Sequence, residues 1–174
     1  MNTDENPGKG ELSKRPVRIG VLGDTHVPER SSRLPSRLLE ILSDVDLIIH
    51  TGDFTNHSVY EQLNGINELR AVRGNMDDEH LRFLLPETNR FQIAGRTIGL
   101  IHGWGPRSGL EQRVLSRLGP VDILIYGHSH DPATQWINGS FLVNPGSCSG
   151  NMDGSRSCLV LELGDDIKAN SFSF

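Results

Sequence analysis

The chain is predicted to adopt an α/β fold of two stacked sheets covered by helices, and three features point to it. Short apolar runs alternate with helical patterns in the first half, hairpin signals dominate the second half, and several oxygen- and nitrogen-bearing residues fall just after apolar runs. Strand–loop–helix alternation favours crossover connections and a largely parallel sheet, whereas hairpins add antiparallel strands.

The first fifteen residues, Met1 to Arg15, are polar and charged and read as a disordered tail, leaving residues 16–174 as a single domain. Val17 to Leu22 is a short apolar run ending in a polar loop, the signature of a buried strand. Pro35 to Leu42 follows with Leu38, Leu39, Ile41 and Leu42 on one helical face, and Pro35 suits a first helical turn. Asp46 to Thr51 is a second buried strand, Ser58 to Leu63 a short helix, and Leu69 to Val72 a third strand. Arg90 to Ala94 and Thr97 to Ile101 flank Gly95-Arg96, a two-residue hairpin signal. Ser108 to Leu118 is an amphipathic helix stopped by Gly119-Pro120, and Asp122 to Tyr126 is another buried strand. Asn138-Gly139, between Thr134–Ile137 and Phe141–Val143, is the strongest turn signal in the chain. A last hairpin joins Leu159–Leu163 to Ile167–Phe172 through Gly164 to Asp166.

With 174 residues the chain is long enough to bury roughly 70% of the surface it exposes when unfolded. A net charge of -5 argues against a nucleic-acid polymer or an anionic membrane as the main partner. It does not oppose a phosphate-bearing ligand if bound cations dominate the local field. No stretch approaches the length of a membrane span, and no apolar leader begins the chain. Two cysteines, Cys148 and Cys158, in such a chain are expected to be free thiols in a reducing cytoplasm.

Seven side chains then form an ordered set: Asp24 and His26, Asp53 after Gly52, Asn75 after Gly74, His102, and His128 and His130 after Gly127. In open α/β sheets ligands bind beyond the carboxyl ends of strands, where most of these residues fall. Residues two apart on an extended segment share a side, so Asp24 with His26, and His128 with His130, can converge in pairs. Taken singly, Asp24 would suit a turn or helix cap, and Gly52-Asp53 or Gly74-Asn75 an Asx turn. Jointly they read as metal ligands. Imidazole, carboxylate and carboxamide without thiolate suit Mn, Fe or Zn better than Ca. His50, inside an apolar strand, reads as a buried supporting residue, and His57 and His80 as solvated. Arg30, Arg33 and Arg37, like Arg107, Arg113 and Arg117, read as solvent-facing helix edges, with Arg107 near enough to His102 to touch a substrate.

This set, with Asp77, the Val72–Asn75 run and the Asn144–Ser147 run, resembles the calcineurin-like metallophosphoesterases, closest to their small single-domain bacterial and archaeal phosphodiesterases. The resemblance covers nearly all of Val17 to Phe174. It implies a four-layer α/β/β/α sandwich with two mixed β-sheets. It further implies two divalent metal ions, Mn first, with Fe, Ni or Zn as alternatives. One ion would be held by Asp24, His26, Asp53 and His130. The other would be held by Asp53, Asn75, His102 and His128, with Asp53 as the bridge. Catalysis would rest on Asp53, Asn75 and His102, hydrolysing a small phosphoester, nucleotides included, by in-line attack of a metal-bridging hydroxide. Small relatives also make a homodimer an expectation.

Two positions depart from the pattern. Many relatives read Gly-Asn-His-Asp or Gly-Asn-His-Glu, where that histidine is thought to protonate the leaving group; here Met76 stands, and a thioether donates no proton. Trp104 replaces an imidazole near the second metal. The first departure favours phosphodiesters over monoesters. Phosphomonoesterase activity is the alternative, and a non-catalytic metal-binding scaffold of the same fold, as in the retromer subunit, is the alternative from another class.

Overall fold

The computed structural model describes residues 15–151 and 153–174, so the expected tail lies outside the described residues except for Arg15. Arg15 is tied down, its guanidinium meeting the Asp46 carboxylate at 2.6 and 3.1 Å. The elements run β1 (Val17–Leu22), α1 (Ser36–Leu42), β2 (Leu47–His50), α2 (His57–Asn64), β3 (Leu69–Ala71), α3 (Glu79–Leu84), β4 (Thr88–Ile93), β5 (Arg96–Ile101), α4 (Leu110–Leu118), β6 (Ile123–Tyr126), β7 (Ala133–Ile137), β8 (Ser140–Asn144), β9 (Ser157–Leu163) and β10 (Ile167–Ser173).

Two five-stranded mixed sheets result, ordered β10-β9-β1-β2-β3 and β4-β5-β6-β8-β7. In the first, β1 pairs in parallel with β2, and β2 with β3; in the second, β6 lies parallel to both β5 and β8. The layers follow from how each strand sorts its side chains. Ile19 and Val21 of β1 and Leu47 and Ile49 of β2 pack with Ile98, Leu100, Ile123, Ile125 and Val143 of the other sheet. The alternate residues Leu22 and Ile48 face outward under Leu38, Leu42, Val59, Leu63 and Leu81 of the three helices on that side. On the opposite outer face Leu110 and Val114 of α4 cover Leu124, Tyr126 and Leu142. The four-layer α/β/β/α architecture is therefore present.

Local departures from the sequence expectation have plain causes. Pro35 caps α1 in an extended conformation (ψ 136°), so the helix starts one residue later. Helix α3 was not predicted, because six residues with a single buried leucine give little periodicity. Its legible signal was the cap, Asp78, whose side chain accepts from the Leu81 N–H. Helix α4 begins at Leu110 because Gly109 adopts a left-handed conformation. The first hairpin turns at Ala94-Gly95 rather than Gly95-Arg96. Both residues have positive φ (48° and 73°), as do Asn138 and Gly139 (51° and 83°), so both turns have the hand that matches strand twist.

Ala94 is the poor fit among these four, since a Cβ in the left-handed region costs about 1–2 kcal/mol. Asparagine tolerates that conformation better. Ala94→Asn should stabilise the protein by about 0.5–1 kcal/mol and raise the thermal midpoint by roughly 2 °C. A thermal melt that moves downward or not at all counts against this assignment of the turn.

Candidate metal centre

The parallel strands of both sheets end at one edge, and the loops leaving them carry all seven side chains singled out above. Asp24, His26, Asp53 and Asn75 come from the first sheet; His102, His128 and His130 come from the second. Their polar atoms form an unbroken chain. From Asp24 through His130, His26, Asp53, His102 and Asn75 to His128, successive separations are 3.1, 3.4, 3.7, 3.4, 3.1 and 3.2 Å. Two groups within it could each hold an ion: Asp24 with His26 and His130, and Asp24 with Asp53 and His102. Asp24 thus faces both groups, although the resemblance gave the shared place to Asp53.

The pairs converge by a route other than the extended backbone expected for them. Asp24, His26, Asp53, His128 and His130 all have left-handed backbone (φ 44–71°), a conformation uncommon for any residue with a Cβ. Hydrogen bonds to neighbouring strands hold these kinks. The Asp24 N–H donates to Gly52 O (3.0 Å) and the His26 N–H to Asp53 O (3.2 Å). The Ser147 and Ser149 hydroxyls both donate to the Asp24 carbonyl, at 2.9 and 3.0 Å. Gly74 has no room for a side chain, since a Cβ there would lie 2.0 Å from Asp53 Oδ1. That glycine is needed for close approach, not for a turn.

Four of the seven ligand candidates are aimed by a second contact. Asp24 Oδ2 accepts from the His128 N–H (3.2 Å) and Asp53 Oδ1 from the Met76 N–H (2.7 Å), which leaves Asp24 Oδ1 and Asp53 Oδ2 turned inward. His102 Nδ1 donates to Thr51 O (2.8 Å), so Nε2 faces Asp53 and Asn75. His128 Nε2 donates to Gly105 O (2.9 Å), so Nδ1 faces Asn75 Oδ1. Partners of this kind fix the tautomer of a metal-binding histidine.

The donor set fits a cation. Asp24 is fully buried, and its Oδ1 accepts no hydrogen bond. The ring nitrogens of His130 and His26 lie 3.1 and 3.9 Å from that oxygen, and 3.4 Å from each other. Electron-rich atoms so gathered and dry are stable only around positive charge.

Protonation differs among these groups. Burial lowers His26 below its usual value despite Asp24 and Asp53, leaving a neutral ring. Burial also opposes charge on His102, but the hydrogen bond to Asp53 and the Asp24 charge outweigh it and raise His102 to about 9. Burial pushes the Asp53 carboxyl up; His102, the Met76 N–H and His26 overcome it and bring the group to about 2. His50, stacked at 3.5 Å on Phe54, is held well below its usual value by burial. As a neutral ring it accepts from the Gly52 N–H (3.1 Å) and meets Thr25 Oγ1 at 3.3 Å, which supports the Asp53 loop.

Sequence reasoning missed several supports. Asp77 is buried, accepting from the Gly74 N–H (2.7 Å) and the Thr55 N–H (3.0 Å), so one carboxylate staples two ligand loops. Its signal was its place two residues after Asn75. Arg82 of α3 donates to the Asn75 carbonyl. Arg30, expected at a solvent-facing edge, reaches His130 Nδ1 at 3.3 Å. Arg113, expected likewise, donates to Trp104 O, Ser108 O and Pro106 O. His57 is not solvated as expected; its ring stacks on Tyr60 and packs edge-on against His80. Cys148 and Cys158 are free and buried, and burial raises both thiols, Cys158 to about 12. Among the described residues no helix is long and apolar enough to cross a membrane.

Comparison with known proteins is consistent across sequence and structure. The family model of the calcineurin-like phosphoesterase superfamily domain matches residues 17–166. A protein of Methanothermobacter thermautotrophicus described as a probable metallophosphoesterase is 38% identical over 131 residues, covering 74% of this chain and 76% of that one. Vps29 from Entamoeba histolytica, solved in complex with Zn2+, is 30% identical with a TM-score of 0.72, over 90% of this chain and 99% of that one. A novel archaeal phosphodiesterase gives 26% identity and a TM-score of 0.72, over 91% and 100%.

Two outcomes follow from the protonation and the staple. In the metal-free protein the His102 ring should titrate near 9 by NMR. Cations must displace its Nε2 proton, so metal affinity should rise about tenfold per pH unit between neutrality and that midpoint, then level off. A midpoint at or below the usual histidine value would contradict the Asp53–His102 pairing. Asp77→Asn sets an amide N–H against a backbone N–H, at about 1–3 kcal/mol, and should weaken Mn binding about 10–100-fold. Calorimetric Mn titration alongside a thermal melt measures both, and unchanged affinity would remove Asp77 from this role.

Proposed function

Because this chain belongs to the calcineurin-like phosphoesterase superfamily, we propose that it is a dinuclear-metal-dependent phosphoesterase acting on phosphodiesters in preference to monoesters. The observation that carries the metal reading is Asp24 Oδ1, fully buried, unpartnered and facing imidazole nitrogens. One ion would be held by Asp24, His26, Asp53 and His130, and the other by Asp53, Asn75, His102 and His128. Bound there, divalent ions would supply Lewis acidity toward phosphoryl oxygens and toward water. Mn is the first candidate, with Fe, Ni or Zn as alternatives.

The chain's own residues define the rest. Asp53 is held by Met76 N–H on one oxygen, so its other oxygen is free to serve both groups. Asn75 Oδ1 lies within 3.2 Å of both His102 and His128, and Arg82 steadies its backbone. Position 76 contributes its backbone N–H, while its side chain is a thioether, 54% exposed, that can protonate nothing. Diesters with aryl, cyclic or otherwise stable leaving groups need no such proton. The likeness to an archaeal phosphodiesterase supports the same preference. Small phosphoesters, nucleotides included, are the proposed substrates, in a cytoplasmic protein that could pair with itself.

A second reading, a metal-holding interaction module, draws on the Vps29 likeness. Vps29 was solved with Zn2+, so metal uptake by this fold is measured separately from turnover. Phe83 and Leu84 of α3 are also exposed, as an interaction surface would require. Turnover decides. The Mn-loaded protein should hydrolyse bis-p-nitrophenyl phosphate with a higher kcat/KM than p-nitrophenyl phosphate, and His128→Ala should abolish both activities. Faster monoester turnover would reverse the substrate preference. Stoichiometric metal without turnover would favour the module.

A further inference from the structure

The loop from Gly103 to Gly109 links a ligand candidate of the second sheet to helix α4, and its backbone has little of its own to hold it. Gly103, Gly105 and Gly109 all have positive φ, and no carbonyl of Trp104, Pro106 or Ser108 falls within a regular element. Instead, all three carbonyls converge on one guanidinium. Arg113 Nε donates to Trp104 O (3.0 Å), Nη1 to Ser108 O (2.9 Å) and Nη2 to Pro106 O. A Cβ built on Gly105 would lie 3.6 Å from Arg113 Nε and Nη2, so the guanidinium runs alongside that residue. Arg113 is itself fixed, because its helix neighbours Leu110 and Val114 are buried in the core beneath α4.

Gly105, framed on both sides by clamped carbonyls, supplies the acceptor for His128 Nε2 at 2.9 Å. A neutral ring can donate to only one of its two acceptors, Gly105 O at 2.9 Å or Asn75 Oδ1 at 3.2 Å, and the shorter bond to Gly105 places the proton on Nε2. With Nε2 protonated, the Nδ1 lone pair faces Asn75 Oδ1 at 3.2 Å. We propose that Arg113 is a positioning residue for the metal centre, gathering three loop carbonyls so that the Gly105 carbonyl holds His128 with Nδ1 turned toward Asn75. This rests on the two-ion reading only for its functional consequence. Arginine suits the task because its five donors form a rigid fork, whereas a lysine ammonium satisfies a carbonyl or two with no fixed plane.

Two readouts test it. Long-range 1H–15N spectra of the metal-free protein at about pH 8 should show His128 as the Nε2–H form in the wild type. Arg113→Ala should give mixed or reversed tautomers, with Arg113→Lys between the two. Calorimetric Mn titration should show two ions in the wild type. In Arg113→Ala one ion should remain within about threefold and the other should weaken about 10–100-fold. If Arg113→Ala does not fold, Arg113→Gln and Arg113→Lys carry both measurements. An unchanged tautomer in the variants overturns the proposal, as does equal weakening of both ions alongside a lowered melting point, the mark of a merely structural role. A wild type that takes up fewer than two ions overturns the two-ion reading instead, and the metal-free spectra still decide the role of Arg113.

Discussion

Burial of the Asp24 carboxylate is the constraint on which the rest of this structure depends. A carboxylate removed from water is expensive unless charge and hydrogen bonds replace hydration, and here only Oδ2 has an acceptor's partner, the His128 N–H. The other oxygen is surrounded by imidazoles that belong to both sheets. Keeping it dry requires the two sheets to end together, because Asp24 leaves β1 while His128 and His130 leave β6. Two hydrogen bonds close that seam: His102 Nδ1 donates to Thr51 O, and the Cys148 N–H donates to Gly23 O. The apolar layer between the sheets and the polar edge above it are therefore parts of one solution. Ile19, Val21, Ile98 and Ile123 fix the distance at which these polar atoms can meet.

The helices act as buttresses from outside. On the first sheet, α3 holds Asn75 through Arg82, and Asp78 caps α3 while also accepting from the His57 N–H at 3.1 Å, tying α3 to the start of α2. On the second, α4 reaches the His128 loop through Arg113. Neither arginine touches the inner oxygens or nitrogens. Arg82 acts on the backbone carbonyl of Asn75 and Arg113 on the carbonyls that flank Gly105, so both cations stabilise the loops from outside the inner donor atoms.

Much of this was legible in the sequence, and the remainder was hidden for identifiable reasons. The strands β1, β2 and β6 could be read because each is a short, mostly apolar run buried on both faces of its sheet. Five of the seven polar residues, Asp24, Asp53, Asn75, His102 and His128, stood out because they lie just beyond a strand end. Helix α3 could not be read, since Leu81 is its only buried residue and one residue has no period. Arg113 looked solvent-facing because carbonyl acceptors carry no sequence signature: only the folded loop shows that Trp104, Pro106 and Ser108 turn their oxygens to one point. Asp77 stood within the motif, but its stapling role was hidden in the same way, its partners being two backbone N–H groups. The turn at Ala94-Gly95 was displaced by one residue because alanine gives no hint of tolerating positive φ, whereas the Asn138-Gly139 turn states its chemistry in its residue types.

Five of the seven ligand candidates sit in left-handed backbone, and this bears on how the centre is prepared. At about 1–2 kcal/mol each, reduced for aspartate because its side chain can bond locally, the set stores several kcal/mol, comparable with a domain's whole stability of about 5–15 kcal/mol. Such strain persists only where surroundings over-determine it. Here they do: two serine hydroxyls and a strand N–H fix the Asp24 peptide, Asp77 pins the approach to Asn75, and Gly74 leaves no slack against Asp53. These holding contacts all come from the chain's own hydroxyls, carboxylate and backbone groups, so the fold itself over-determines the kinks.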